Sequence, residues 1–460
     1  MARQRQNPKS TEKPPGNGQP GLAARLVAAS LLESVVDRHA ILDALTRDES
    51  DLAGWRRLSD RDRSLAKAIT LTALRHRGAI STAIGRLVDR PPPKKARHLI
   101  HCLHVSAAQL LFMDVPDSAA VNLGVAAIAG DKRTTRFAGF ANAVLRNMAR
   151  RRDELCALPA DPEAMFVDWL ARQLKRDYGR EATARIAEMM MLEPLIDLTP
   201  HSRLDAAGRK KLADELGAEL LATGSLRLDD TRPVETLPGF EEGQWWVQDA
   251  AASLPARLLG DVKGMRVADL CAAPGGKTMQ LAAAGADVTA VDISPARLAR
   301  LEQNLRRVSL NARIVEADIL DWHPQELFDA VLLDAPCSAT GTMRRHPDIA
   351  WNRTRENVDQ LVELQQNLLM AAKSLVRPGG LIVYANCSIL KCEGEDRLAA
   401  WRNEAPDLVH LPLNGQEFPE MAKWINGQGA LRTLPFHLPA EPARQGGMVG
   451  FFACRFRVAG

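Results

Sequence analysis

Residues Val267-Ala268-Asp269-Leu270 form a short apolar run that ends in Cys271-Ala272-Ala273-Pro274-Gly275-Gly276, and a helical pattern begins near Lys277. A strand that stops in a glycine loop and turns directly into a helix opens a doubly wound α/β sheet. Residues without bulky side chains let a ligand approach both the backbone and the helix N terminus. Gly276-Lys277-Thr278 matches the tail of a phosphate-binding P-loop, but the first glycine of GxxxxGK[ST] falls on Cys271, which disfavours a nucleoside triphosphatase.

After Trp245-Trp246 the pattern of strand, loop and helix repeats to residue 460, which predicts a parallel sheet with helices on both faces. The strand Asp287 to Val291 ends in Asp292, the position from which an acid holds both hydroxyls of a ribose, and this suits an adenosine cofactor without a 2′-phosphate. A strand around Arg313 to Val315 is followed by Asp318, placed to sit beside the adenine. Singly, such acids are more often turn or cap residues. After consecutive strands they mark a cofactor crevice.

Two further strands end in cysteines. Ala330-Val331-Leu332-Leu333 leads into Asp334-Ala335-Pro336-Cys337-Ser338, and Leu381-Ile382-Val383-Tyr384 leads into Asn386-Cys387-Ser388. Ligands of open α/β sheets lie beyond the carboxyl ends of the strands, so both thiols should face one crevice. A lone buried cysteine is usually a small core residue. Two beside a cofactor call for chemistry. Pyrimidine C5 is a poor nucleophile, and addition of a thiolate at C6 makes C5 electron-rich enough to attack an electrophilic methyl group. Asp334 is placed to pair with N3 of a flipped base, and the second thiol to help release the enzyme.

The remainder of the 460 residues has room for one or two more domains. Residues 1–20, rich in Pro, Gly, Gln and Lys/Arg, read as a disordered basic tail. Residues 21–152 are helical: Leu26, Val27, Leu31, Leu32, Val35 and Val36 recur at spacings of three and four. Breaks fall at Pro91-Pro92-Pro93 and around Pro116-Asp117, with Asp117 or Ser118 available to cap the next helix. Arg75, Arg77, Lys94, Lys95, Arg97, Lys132, Arg133, Arg136, Arg146, Arg150, Arg151 and Arg152 suit either phosphate contacts or a solvated helix surface. Residues 153–244 form a connecting subdomain with helical stretches at 161–191 and 205–216 and a short β piece. The net charge is only +4, so a nucleic-acid surface has to be a local basic face.

The seven cysteines form neither CxxC pairs nor a dense even framework, so reduced thiols in a cytoplasmic protein are expected and no metal site. No uninterrupted apolar stretch reaches membrane-spanning length, and Met1-Ala2-Arg3-Gln4-Arg5 leads into polar sequence, so neither a span nor secretion is expected. Monomer is the default expectation.

The C-terminal half resembles the NOL1/NOP2/Sun family of RNA 5-cytosine methyltransferases, and the whole chain resembles its bacterial 16S ribosomal RNA branch, the RsmB (Sun/Fmu) type. The resemblance rests on Asp269 to Thr278 (DLCAAPGGKT), Asp334 to Gly341 (DAPCSATG) with Arg344-Arg345-His346-Pro347-Asp348, Tyr384 to Ser388 (YANCS) and Val247-Gln248-Asp249. Gly139 to Arg146 (GFANAVLR) extends it to the NusB-like RNA-binding domain attached to this branch. It implies an all-α NusB-like domain over 21–152, a small α/β linker over 153–244 and a Rossmann-like catalytic domain over 245–460. It further implies that Cys271, Ala272, Ala273, Pro274, Gly275, Gly276, Lys277, Asp292, Asp318 and Asp334 contact S-adenosyl-L-methionine, that Cys387 is the nucleophile and that Cys337 assists release.

Three positions depart from the family pattern: Asn386 stands where Thr is usual, Val449 where Asp precedes Gly-Phe-Phe, and Leu198-Thr199-Pro200-His201 replaces Leu-Arg-Val-Asn, removing an arginine from an expected RNA-facing segment. Alternatives are a tRNA 5-cytosine methyltransferase, a non-catalytic RNA-binding or assembly factor on the same scaffold, and an exocyclic-amine methyltransferase. The thiol of Cys337, where the last class wants an aromatic stack, speaks against it.

Overall fold

The computed structural model describes residues 19–460 apart from positions 53, 91, 94, 159, 160, 230 and 231. The basic tail, but for Gln19 and Pro20, and Lys94 lie outside the described residues. The chain divides into two compact units, Met1–Pro159 and Ala160–Gly460.

The first unit is helical, with principal helices at Leu22–Arg38, Asp60–Arg75, Arg77–Leu87, Arg97–Phe112, Asp117–Gly130 and Ala138–Arg150. Arg97–Phe112 is buried on nearly every side, as a helix at the centre of a bundle must be. Two of its histidines are paired from Leu22–Arg38: His98 Nδ1 lies 2.8 Å from Glu33, and His101 Nε2 lies 3.0 Å from Asp37, one turn further on. The capping expected of Asp117 or Ser118 is not made. Pro116 occupies the cap position and Asp117 is the first helical residue, where a carboxylate acts through the helix dipole instead. Two of the basic residues read as a phosphate surface point inward: Arg75 is buried, and burial pushes the Arg77 guanidinium down to about 10. Arg133 and Arg151 are held by Asp131 and Glu154. Lys95, Arg97, Lys132, Arg136, Arg146 and Arg150 remain exposed.

The second unit begins with a long helix, Asp168–Met190, kinked at Gly179 (φ 78°). A small antiparallel sheet follows, built from Ile196–Pro200 (β1), Glu219–Leu220 (β2), Leu226–Leu228 (β3) and Trp245–Val247 (β4) in the order β2-β3-β1-β4. The helix Ala206–Leu216 enters between β1 and β2, capped by Asp205, whose Oδ1 accepts from Gly208 N at 2.7 Å. The segment that departs from the family pattern is β1 itself, and it faces inward. Thr199 and His201 are buried, and Thr199 Oγ1 donates to Gln248 Oε1 at 2.8 Å. An RNA-facing role for these two side chains is therefore not what the fold provides.

The larger sheet comprises Arg266–Leu270 (β5), Asp287–Asp292 (β6), Arg313–Glu316 (β7), Phe328–Asp334 (β8), Val376–Asn386 (β9), Leu408–His410 (β10), Leu431–Arg432 (β11) and Phe452–Val458 (β12). Its order is β10-β12-β9-β8-β5-β6-β7, with β11 pairing β12. Strands β5 to β9 are parallel, but β12 runs antiparallel to both β9 and β10. The sheet is thus mixed rather than parallel as expected, because the helix Glu395–Glu404 carries the chain past the β9 edge to β10 and β12 then fills the gap between them, running opposite to both.

Alternate residues supply two cores. Val267, Ala330, Leu332, Val383 and Ala385 pack on one face; Ala268, Leu270, Val331, Leu333, Ile382, Tyr384, Phe452 and Phe456 pack on the other. From β5 the chain builds outward through β6 and β7, then returns to the other side with β8 and β9. Strand order reverses between β5 and β8, and the crevice beyond their carboxyl ends is where such sheets bind ligands.

Candidate active site

The loop after β5 turns with Cys271 at φ 59° and Gly275 at φ 104°. Any side chain on Gly275 would also meet Leu301, whose Cγ lies 2.8 Å from where the Cβ would stand. The helix Gly276–Ala283 starts there. Its first residues are turned inward: Lys277 Nζ donates to Asp334 Oδ2 at 2.7 Å, and Thr278 Oγ1 donates to Asp269 Oδ2 at 2.6 Å. Both side chains of the apparent P-loop tail are thereby committed within the protein, in keeping with the missing first glycine. Burial opposes the Lys277 charge, but Asp334 outweighs it and holds the ammonium above its ordinary range. Asp269 is fully buried, and burial pushes its carboxyl up to about 7.

The acids at the strand ends close turns and also face a cavity. Asp292 accepts from Ala273 N (3.1 Å) and Ser294 N (3.0 Å) and pairs with Arg297 at 3.2 Å. Asp318 Oδ1 accepts from Leu320 N at 3.0 Å. They close turns, and they also line one cavity of about 410 Å³ with Cys271, Asp334, Cys337 and Cys387. Ala272, Ala273, Pro274, Gly275, Gly276 and Lys277 do not line it; Ala273 bonds Asp292 and Lys277 bonds Asp334. Sequence reasoning missed Ile293 and Leu320, which line the cavity while 65% and 42% exposed. Large apolar side chains left open beside strand-end acids are the signal that would have found them.

The two strand-end cysteines meet. Cys337 Sγ and Cys387 Sγ are 3.5 Å apart. The contact with Cys387, burial and the Glu393 carboxylate all hold the Cys337 thiol well above the ordinary range. Cys387 is fixed through its backbone: its carbonyl accepts from Gly341 N at 2.9 Å, and Gly341 O accepts from Gly450 N at 3.0 Å. A Cβ at Gly341 would stand 1.9 Å from Gly450 O and 2.8 Å from Cys387 O. Gly341→Ala is therefore expected to cost about 1–3 kcal/mol of stability, as overpacking against backbone does, and denaturant unfolding followed by fluorescence checks it.

At the departing positions, Asn386 is buried and fully engaged, donating to Glu393 O (2.7 Å) and Tyr384 Oη (3.0 Å) and accepting from Ser388 N (3.0 Å). Val449 contributes its backbone, its N–H donating to Asp249 Oδ1 at 3.1 Å. Burial raises the Asp249 carboxyl and Arg345, 2.9 Å away, lowers it; the balance lies below the ordinary range.

Two family models match the chain: "16S rRNA methyltransferase RsmB/F" over residues 256–456 and "NusB family" over 22–150. Ribosomal RNA small subunit methyltransferase B of Xanthomonas campestris pv. campestris is 37% identical over 410 residues, covering 86% of this chain and 91% of that protein. The protein of the same description from Citrobacter koseri is 34% identical over 422 residues, covering 88% and 95%. The chain belongs to the RsmB/F methyltransferase family. Among solved structures, the crystal structure of PH0851 shares the fold at a TM-score of 0.66 and 21% identity, covering 96% of this chain and 99% of that one. A methyltransferase homolog from Pyrococcus horikoshii matches at a TM-score of 0.51 and 26% identity, covering 64% and 95%.

The cofactor of an RsmB/F methyltransferase is S-adenosyl-L-methionine. The donor set of the cavity fits it. Carboxylates suit ribose hydroxyls and a cationic sulfonium, and the exposed Ile293 and Leu320 offer apolar surface to an adenine ring. No helix among the described residues is long and apolar enough to cross a membrane, and no cluster of metal-ligating side chains occurs among them.

Proposed function

We propose that the protein methylates C5 of a cytosine in RNA, most plainly 16S ribosomal RNA, with Cys387 as nucleophile and Cys337 as the thiol that assists release. The observation that carries this reading is the 3.5 Å contact of two thiols at the ends of neighbouring strands, on a cavity walled by acids. One thiol serves a small core; two in contact at a cofactor crevice serve a reaction that must both make and break a bond to sulfur.

In this reading Asp292 holds the ribose, Asp318, Ile293 and Leu320 flank the adenine, Cys271 and Asp334 complete the cofactor site, and the loop from Ala272 to Lys277 braces Asp292 and Asp334 from behind. S-adenosyl-L-methionine, when bound, would supply the electrophilic methyl group, its methyl–sulfonium bond breaking to leave S-adenosyl-L-homocysteine. The Cys387 thiolate adds to C6 of the flipped base, and electron density moves to C5 and toward N3. To meet the N3 edge the Asp334 carboxyl, oriented by Lys277, has to carry a proton that it donates to N3 and recovers on elimination, and the Lys277 ammonium offsets the charge left on Asp334. Once C5 carries its methyl group, Cys337, acting as the thiolate, takes the C5 proton, the C6–S bond breaks and Cys387 leaves as the thiolate. The exposed arginines and lysines of the first unit supply phosphate contacts, an assignment supported by the NusB family match.

Transfer of label from methyl-labelled S-adenosyl-L-methionine to unmodified small-subunit ribosomal RNA and, in parallel, to transfer RNA tests substrate and chemistry together. 5-Methylcytosine at one position of the ribosomal RNA is expected. Label confined to transfer RNA would move the substrate, and N4-methylcytosine or N6-methyladenine would remove the thiol mechanism. Asp292→Ala is expected to weaken cofactor binding by about 2–3 kcal/mol, since charge-assisted hydrogen bonds to the ribose disappear; titration calorimetry giving an unchanged Kd would defeat that assignment.

A further inference from the structure

One fully buried carboxylate beside the two thiols has no part in the chemistry above. Glu393 Oε1 accepts from Ser338 N (2.9 Å) and Gln365 Nε2 (2.9 Å); Oε2 accepts from Ser338 Oγ (2.5 Å) and Ser388 Oγ (2.6 Å). Four donors occupy the four acceptor sites of the carboxylate. Ser338 follows Cys337 and Ser388 follows Cys387, so a single side chain ties the loop after β8 to the loop after β9. Thr340 Oγ1 joins Ser388 Oγ at 3.0 Å and accepts from Ile389 N at 3.1 Å, which fixes the same two loops a second time. These four donors are neutral groups, and burying a carboxylate is costly unless its hydrogen bonds do something an apolar side chain could not.

We propose that Glu393 is a positioning residue that sets the 3.5 Å separation of the Cys337 and Cys387 thiols by holding Ser338 and Ser388 on one carboxylate. Its kinetic consequence rests on the two-thiol mechanism, while its effect on thiol spacing does not. The ionisable groups around the pair are Glu393 and Tyr384 toward Cys337, and Lys277 toward Cys387.

Both thiols line the cavity, so a trivalent arsenical reports their spacing without RNA or cofactor. Phenylarsine oxide forms two As–S bonds with loss of one water and needs both thiols within reach of one arsenic. The full chain is expected to bind it tightly and Cys337→Ala to lose that binding. In Glu393→Asp the carboxylate is one methylene short of spanning both serines, and arsenical affinity should fall about tenfold or more as the second As–S bond loses its effective concentration. In the same variant kcat should fall on the order of a hundredfold with KM unchanged, the cost of a misplacement near 1 Å.

Circular dichroism establishes that the variant is folded. If it is not, Ser388→Ala removes one tether and leaves the carboxylate three donors, and the same losses are expected at smaller size. Wild-type arsenical affinity in a folded variant overturns the proposal whatever kcat does. Weakened arsenical binding in Glu393→Asp, in a protein that methylates no RNA, would leave Glu393 in its role and remove the two-thiol chemistry instead.

Discussion

Cys387→Ala is expected to abolish methyl transfer, by roughly four orders of magnitude or more, as loss of a covalent nucleophile does, while cofactor affinity stays within twofold of wild type. The separation of effects follows from the topology. Cys387 stands at the end of β9, whereas the acids assigned to the ribose and adenine stand at the end of β6 and after β7, the first and second strands beyond β5 on the other side of the switch point. Removing a sulfur from one wall leaves the opposite wall intact. Calorimetry with S-adenosyl-L-methionine, run beside a single-turnover assay on unmodified ribosomal RNA, checks both halves. Retained turnover would remove Cys387 as nucleophile and shift attention to Cys337.

Cys337→Ala should do something different in kind. Attack by Cys387 remains available, but the group 3.5 Å away that takes the C5 proton is gone, so enzyme and RNA are expected to accumulate as a covalent complex that survives denaturing electrophoresis. Turnover should fall by roughly two to four orders of magnitude, the range of general acid–base catalysis. In the resting protein the Cys387 contact, burial and the nearby Glu393 hold the proton on Cys337, so the thiol has to give that proton up before it can take the one on C5. If no cofactor-dependent adduct forms, or if it forms equally with the wild-type protein, the release role is lost.

Much of this site is legible along the chain because central strands of such a sheet are continuous apolar runs, and each run announces the residue at its carboxyl end. Asp292, Asp318, Asp334, Cys337 and Cys387 are all found in that way, and the structure gathers them on one cavity. What the sequence withholds is direction and distance. The alternation of Phe452, Cys454 and Phe456 says that a strand exists there, but not that it pairs antiparallel with β9. Arg75 and Arg77 look like other basic residues until the helices around them are packed. Glu393 is separated from Ser338 by 55 residues, and a carboxylate in a turn carries no mark of the four donors that converge on it. Local patterns report what an element buries; they do not report which remote element supplies its partners.

The place of β12 has a bearing on how the protein is made. Strand β9, which ends one residue before Cys387, acquires its second neighbour only when Phe452 pairs with Asn386 and Arg457 with Leu381. Without β12 the far edge of β9 would have no strand beside it, and an unpaired edge is an aggregation hazard in any sheet. Gly450, which fastens the Gly341 turn against the Cys387 carbonyl, arrives equally late. Such long-range pairing is slow to form. The order of the Cys387 loop therefore depends on a strand far downstream of it, and truncation before residue 452 would uncover the edge of β9.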